Sequence, residues 1–162
     1  MTTTVKPIFI FSLPRSGSTL LQRIIAAHPQ VSTTAEPWLL LPFYYALKND
    51  GGVYSEFNHH TMSSALTEFT DCLPNKTADY NSAVHDFACQ LYSKCAQPSD
   101  IYFLDKTPRY HLIAKEIIEA FPDAKIIFLW RNPLSIIASA LDTFGRGRWR
   151  LYDYKIDFFK GF

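Results

Sequence analysis

The chain has 162 residues, enough for one domain with a real core, and 48% hydrophobic with 15% aromatic content excludes a disordered chain. A formal net charge of +1 excludes a global attraction to nucleic acid, so any anion binding must be local. Cys72, Cys89 and Cys95 are odd in number and lack a CxxC pattern, which predicts reduced, semi-buried thiols rather than a disulfide scaffold.

The first predicted element is a strand over 7–13, an apolar run rich in Ile and Phe that ends at Pro14 and Arg15. The short loop Ser16-Gly17-Ser18-Thr19 follows, and a helix is predicted over 18–28. Strand, small-residue turn and helix start in that order describe a phosphate cradle. Unpaired N–H groups of the first helical turn and the helix dipole favour an anion there. Gly17 permits close backbone approach, the hydroxyls of Ser16, Ser18 and Thr19 add donors, and Arg15 supplies a fixed charge. A Walker A loop does not fit, because it needs Gly at position 12 and Lys directly after Gly17, where the chain has Ser12 and Ser18.

An extended piece over 31–35 leads to Glu36, followed by Pro37-Trp38 and helical or irregular material to about 48. Gly51-Gly52 break the chain, His59-His60 read as a solvated loop without metal spacing, and helices are predicted near 60–72 and 78–96. A strand over 101–105 runs into Lys106, and Thr107-Pro108 read as a cap-plus-proline start of a helix over 109–121. Residues 125–130, KIIFLW, read as a buried strand with Arg131 at its end. Asn132 and Pro133 read as N-cap and first residue of a helix over 133–143, which sets Ser135 and Ser139 on one face. Alternating strands and helices predict an α/β fold, a parallel sheet with helices on both faces and sites at the carboxyl ends of its strands. In the tail, Arg146, Arg148 and Arg150 form a Gly-broken basic loop, equally consistent with closing over a phosphate and with a solvated charged loop.

A cationic residue followed by S-G-[ST]-T resembles the 5′-phosphosulfate loop of sulfotransferases that use 3′-phosphoadenosine 5′-phosphosulfate (PAPS). Arg15, where cytosolic members usually have Lys, looks more like the tyrosylprotein and carbohydrate branches. RNPLSIIAS resembles the family's 3′-phosphate site, which implies that Arg131 and Ser139 grip that phosphate. DKTPRY resembles the segment whose Lys points at the transferring group, which implies that role for Lys106 beside Arg15. HPQVSTTAEPW resembles the pattern in which a Glu serves as catalytic base, which implies that role for Glu36; the alternative is a capping or ion-paired Glu. His28, at a helix end, is a competitor as base, and His111 and Asp105 are weaker ones.

The resemblance covers residues 7 to about 143 and implies the family's P-loop-like α/β fold and transfer of a sulfuryl group from PAPS, with PAP as product and no metal, to a hydroxyl or amine of a small-molecule, carbohydrate or peptide acceptor. Family catalytic domains are usually longer, so residues 1–162 read as one PAPS-binding domain lacking the usual C-terminal part. A non-catalytic PAP- or PAPS-binding domain and, further off, a P-loop nucleotide or sugar kinase are the other readings. The N-terminus shows no secretory signal, and no apolar run is long enough for a bilayer, which predicts a cytoplasmic protein without nucleic-acid or membrane partners.

Overall fold

The structure, a computed structural model, describes residues 4–49, 53–145 and 157. The Gly51-Gly52 break, the Arg146, Arg148 and Arg150 loop and all of the tail except Asp157 lie outside the described residues. Strands β1 (Lys6–Ser12), β2 (Val31–Thr33), β3 (Tyr102–Asp105) and β4 (Lys125–Leu129) form one parallel sheet in the order β2-β3-β1-β4. Helix α1 (Ser18–Ala26) joins β1 to β2. Helices α2 (Leu41–Ala46), α3 (His59–Asp71) and α4 (Thr77–Cys95) lie between β2 and β3. A 3₁₀ turn (Tyr110–Ile113) and α5 (Ala114–Ala120) precede β4, and α6 (Pro133–Gly145) follows it.

The alternation of β1 explains why it is central. Phe9 and Phe11 join a core with Tyr44, Tyr92, Phe103, Tyr110 and Phe121, under α4 and α5. Ile8 and Ile10 point the other way, against Leu104 and the α1 residues Leu21 and Ile25. Both faces are therefore covered by helices, as a parallel sheet requires. The connection after β1 leads toward β2 on one side of it, and the chain later reaches β4 on the other. The carboxyl end of β1 is thus a topological switch point, where α/β sheets open a crevice.

Four expectations are corrected. The run KIIFLW is not a buried strand: β4 is outermost among the described strands, Phe128 is 56% exposed and Trp130 79%. The helix predicted from 109 starts later: the Thr107 hydroxyl accepts from the Trp38 N–H and donates to Asp105 instead of capping, and Arg109 takes a left-handed φ of 71°. His59 is buried at the start of α3 with Nε2 3.0 Å from the Lys48 carbonyl, so it is not a solvated loop residue. Cys72 and Cys95 are exposed and only Cys89 is half-buried; all three are free. Among the described residues no helix is long and apolar enough to cross a membrane.

Candidate active site

The loop after β1 is shaped by two positive φ angles, 70° at Arg15 and 96° at Gly17. A Cβ on Gly17 would meet nothing within 4 Å, so glycine serves the left-handed backbone and the space in front of it stays open. Leu20 and Leu21 both donate to the Gly17 carbonyl. The N–H groups of Gly17, Ser18 and Thr19 therefore precede the helical bonding, the arrangement that favours an anion at a helix start. Ser16 is buried, and its hydroxyl donates to the Leu13 carbonyl at 2.6 Å; it braces the turn rather than offering a donor to the cleft.

The later motifs reach this loop directly. Arg15 Nε donates to Ser139 Oγ at 3.1 Å, and Arg131 donates to the Arg15 carbonyl at 2.8 Å. Ser139, not Ser135, is the α6 serine that meets Arg15. Asn132 behaves as expected, its Oδ1 accepting from the Leu134 N–H at 2.9 Å.

On the other side of the loop, Lys106 is 3% exposed, and its Nζ lies 2.5 Å from Glu36 Oε1 and 3.5 Å from Thr19 Oγ1. A buried ammonium needs such partners. Glu36 rides on a strap over 34–40 without regular secondary structure. Gln22, buried on α1, pins one end of it by donating to Thr33 Oγ1 and the Thr34 carbonyl, both at 2.8 Å. Two clefts meet at Glu36 and Trp38. One, of about 320 Å³, includes Arg15, Ser18 and Arg109. The other, of about 580 Å³, includes Gln22, Arg23, Thr34 and Lys106. All nine sequence-predicted site residues thus gather at the carboxyl ends of β1 and β3, along the strap and at the β4–α6 junction.

The competitors for the base fare differently. His28 Nδ1 accepts from the Gln30 N–H at 3.2 Å in the turn after α1, a local structural role. Asp105 is fully buried and receives hydroxyl protons from Tyr92 at 2.6 Å, Thr107 at 2.8 Å and Tyr110 at 2.9 Å. Burial pushes its carboxyl above the usual range, against the pull of those three bonds and of Lys106. Burial likewise raises both tyrosine hydroxyls, so they stay protonated donors. Sequence spacing marks Thr107 only as a helix cap and does not connect Tyr92 and Tyr110 to Asp105.

Burial holds the His111 imidazole below its ordinary value, with Asp157 opposing and Arg109 reinforcing the effect. A depressed basic group binds its proton more readily in the unfolded chain, so stability falls as pH drops through about 6.5 and levels off below the folded value. The urea midpoint is expected to fall between pH 7.5 and 5.5, and to fall less in His111→Gln.

The loop after β1 thus sits at the switch point of a parallel sheet, with Lys106 on one side of it and Arg131 on the other. The chain belongs to the sulfotransferase family, whose profile matches residues 7–160. It is 34% identical over 138 residues to the nodulation protein NoeE of Sinorhizobium fredii, covering 85% of this chain and 31% of that protein. It is 25% identical over 134 residues to a protein-tyrosine sulfotransferase of Drosophila melanogaster, covering 83% of this chain and 25% of that one. The chain therefore spans about a third or less of the length of these relatives. Its fold matches a sulfotransferase domain from the curacin biosynthetic pathway with a TM-score of 0.54 at 22% identity, over 94% of this chain and 57% of that one.

Proposed function

We propose that this chain binds PAPS and transfers its sulfuryl group to an acceptor hydroxyl or amine, with Glu36 as the base. The observation that carries the reading is the buried Lys106 ammonium, set between the Glu36 carboxylate and the Thr19 hydroxyl of the anion loop. One side chain thereby links a proton acceptor to an anion cradle. The donor supplies an activated sulfuryl group on a phosphate leaving group. The smaller cleft, lined by Arg15, Ser18 and Thr19, suits the phosphosulfate, and the larger one suits the acceptor. Arg131 and Ser139 are the grip for the 3′-phosphate.

Glu36 takes the proton of the acceptor hydroxyl as its oxygen bonds to sulfur. Lys106 holds Oε1, and a carboxylate has a second oxygen for this task. Lys106 and Arg15 carry the negative charge that builds on the bridging oxygen as the sulfur–oxygen bond breaks. Holding both partners in line across the Glu36 wall supplies orientation.

Calorimetry with PAP and ATP, paired with a radiolabelled-sulfate transfer screen over sugars, phenols and peptides, tests the reading. Expected are PAP binding well above ATP binding and label transfer to at least one acceptor class. Tight ATP binding without PAP preference would make the protein a kinase-like binder, and PAP binding without transfer would make it a non-catalytic sulfonucleotide domain.

A further inference from the structure

Asp105 has no part in the chemistry proposed above, yet two of the hydroxyls bound to it continue into the strap that carries Glu36. The Tyr110 hydroxyl donates to Asp105 Oδ2 and accepts from the Leu40 N–H at 3.3 Å. The Thr107 hydroxyl donates to Oδ1 and accepts from the Trp38 N–H at 3.2 Å. The Tyr92 hydroxyl also donates to Oδ2, but among the described residues it makes no bond to the strap. Three hydroxyls thus share one carboxylate, and only two of them reach the residues after Glu36.

The direction of these bonds follows from proton counting. The N–H groups of Trp38 and Leu40 can only donate, and each hydroxyl has one proton to give. The protons of Thr107 and Tyr110 must therefore point at Asp105, which leaves their lone pairs facing the N–H groups of Trp38 and Leu40. An amide at position 105 would turn an NH₂ toward one of these hydroxyls and set O–H against N–H at the strap. The strap needs such support. It has no ladder of its own, and Trp38 sits at a φ of 56°, a conformation that costs a non-glycine residue about 1–3 kcal/mol. Lys106 follows Asp105 directly, so one strand end orients both members of the Lys106–Glu36 pair.

We propose that Asp105 is a positioning residue: acting through Thr107 and Tyr110, its carboxylate sets the strap and thereby the place of Glu36 beside Lys106. The inference rests on the reading of Glu36 as the base. Asp105→Asn is expected to impair folding, so single-hydroxyl variants carry the test. Tyr92→Phe, Tyr110→Phe and Thr107→Val each remove one donor to the same carboxylate, and a merely structural role predicts similar behaviour for all three.

The positioning role predicts a split. In Tyr110→Phe and Thr107→Val, kcat falls about 10–100-fold with the KM for PAPS nearly unchanged, because misplacing a reacting group by about 1 Å costs on that order. Amide hydrogen exchange at Trp38 and Leu40 quickens about tenfold, as expected for one lost hydrogen bond. In Tyr92→Phe, kcat stays within about twofold and those amides are unchanged, although stability falls as in the others. Equal kcat losses in all three variants, or unchanged kcat in Tyr110→Phe and Thr107→Val while Glu36→Gln is impaired, would overturn the proposal. If Glu36→Gln is instead fully active while the two amides still quicken, the assignment of the base fails and the control of the strap stands.

Discussion

Exchanging Lys106 for alanine is expected to lower the rate of sulfate transfer about 10²–10³-fold, the usual effect of deleting one preorganised donor at developing negative charge. The large effect follows from burial: at 3% exposure the ammonium acts through little water, whereas a solvated lysine would be screened. Glu36→Gln is expected to cost about 10²–10⁴-fold in kcat, with PAP affinity held within a few-fold, since a general base contributes that much to transfer and nothing to donor binding. The two side chains touch, so the double variant should lose less than the product of the single losses. Their effects on folding should differ. Removing Lys106 leaves a Glu36 side chain that is 37% exposed and can be solvated, while removing the Glu36 charge leaves a buried ammonium without its counterion. Glu36→Gln should therefore melt lower than Lys106→Ala. Rate assays and thermal melts on the three variants check both statements, and a fully active Lys106→Ala would remove Lys106 from the mechanism.

Replacing Arg131 by alanine is expected to weaken PAP about 10–100-fold while changing the affinity for adenosine 5′-phosphate much less. A charge-assisted bond to phosphate contributes about 1.5–3 kcal/mol, and only PAP carries the 3′-phosphate. One of the five guanidinium N–H donors is engaged by the Arg15 carbonyl, so the same residue can brace the loop with one and grip an anion with others. Ser139→Ala should act in the same direction but more weakly, as a neutral partner. Arg15→Ala is expected to weaken both nucleotides, because it contributes charge to the loop itself. Titration calorimetry with the two nucleotides separates these cases. Equal losses for both in Arg131→Ala would mean that Arg131 only supports the loop.

Much of this site was legible from local sequence because its parts are local. A strand that runs into Arg15-Ser16-Gly17 dictates a loop whose geometry depends on neighbouring residues, and Asn132-Pro133 dictate a helix start in the same way. Glu36 and Lys106 were also singled out, but their contact joins segments that only the sheet brings together. What escaped were roles decided at a distance. The hydroxyls on Asp105 come from α4, from the turn after β3 and from the 3₁₀ turn, and no spacing rule connects them. The late start of the helix after Pro108 has the same origin, since the Thr107 hydroxyl that would cap it is engaged elsewhere. The apolar run of β4 reads the same whether a strand lies in the middle of a sheet or at its rim.

Asp105 and Lys106 are consecutive, so the chain's alternation sends one into the core and the other toward the anion loop. A one-residue shift of this strand end would exchange the two: the acid would face the loop after β1, and the cation would meet the buried hydroxyls of Tyr92 and Tyr110. Length variation should thus be forbidden at this point even where composition is free to drift. Redesign of the larger cleft can alter the far wall at Arg23 or Thr34, but it must leave the count of residues between Leu104 and Thr107 untouched.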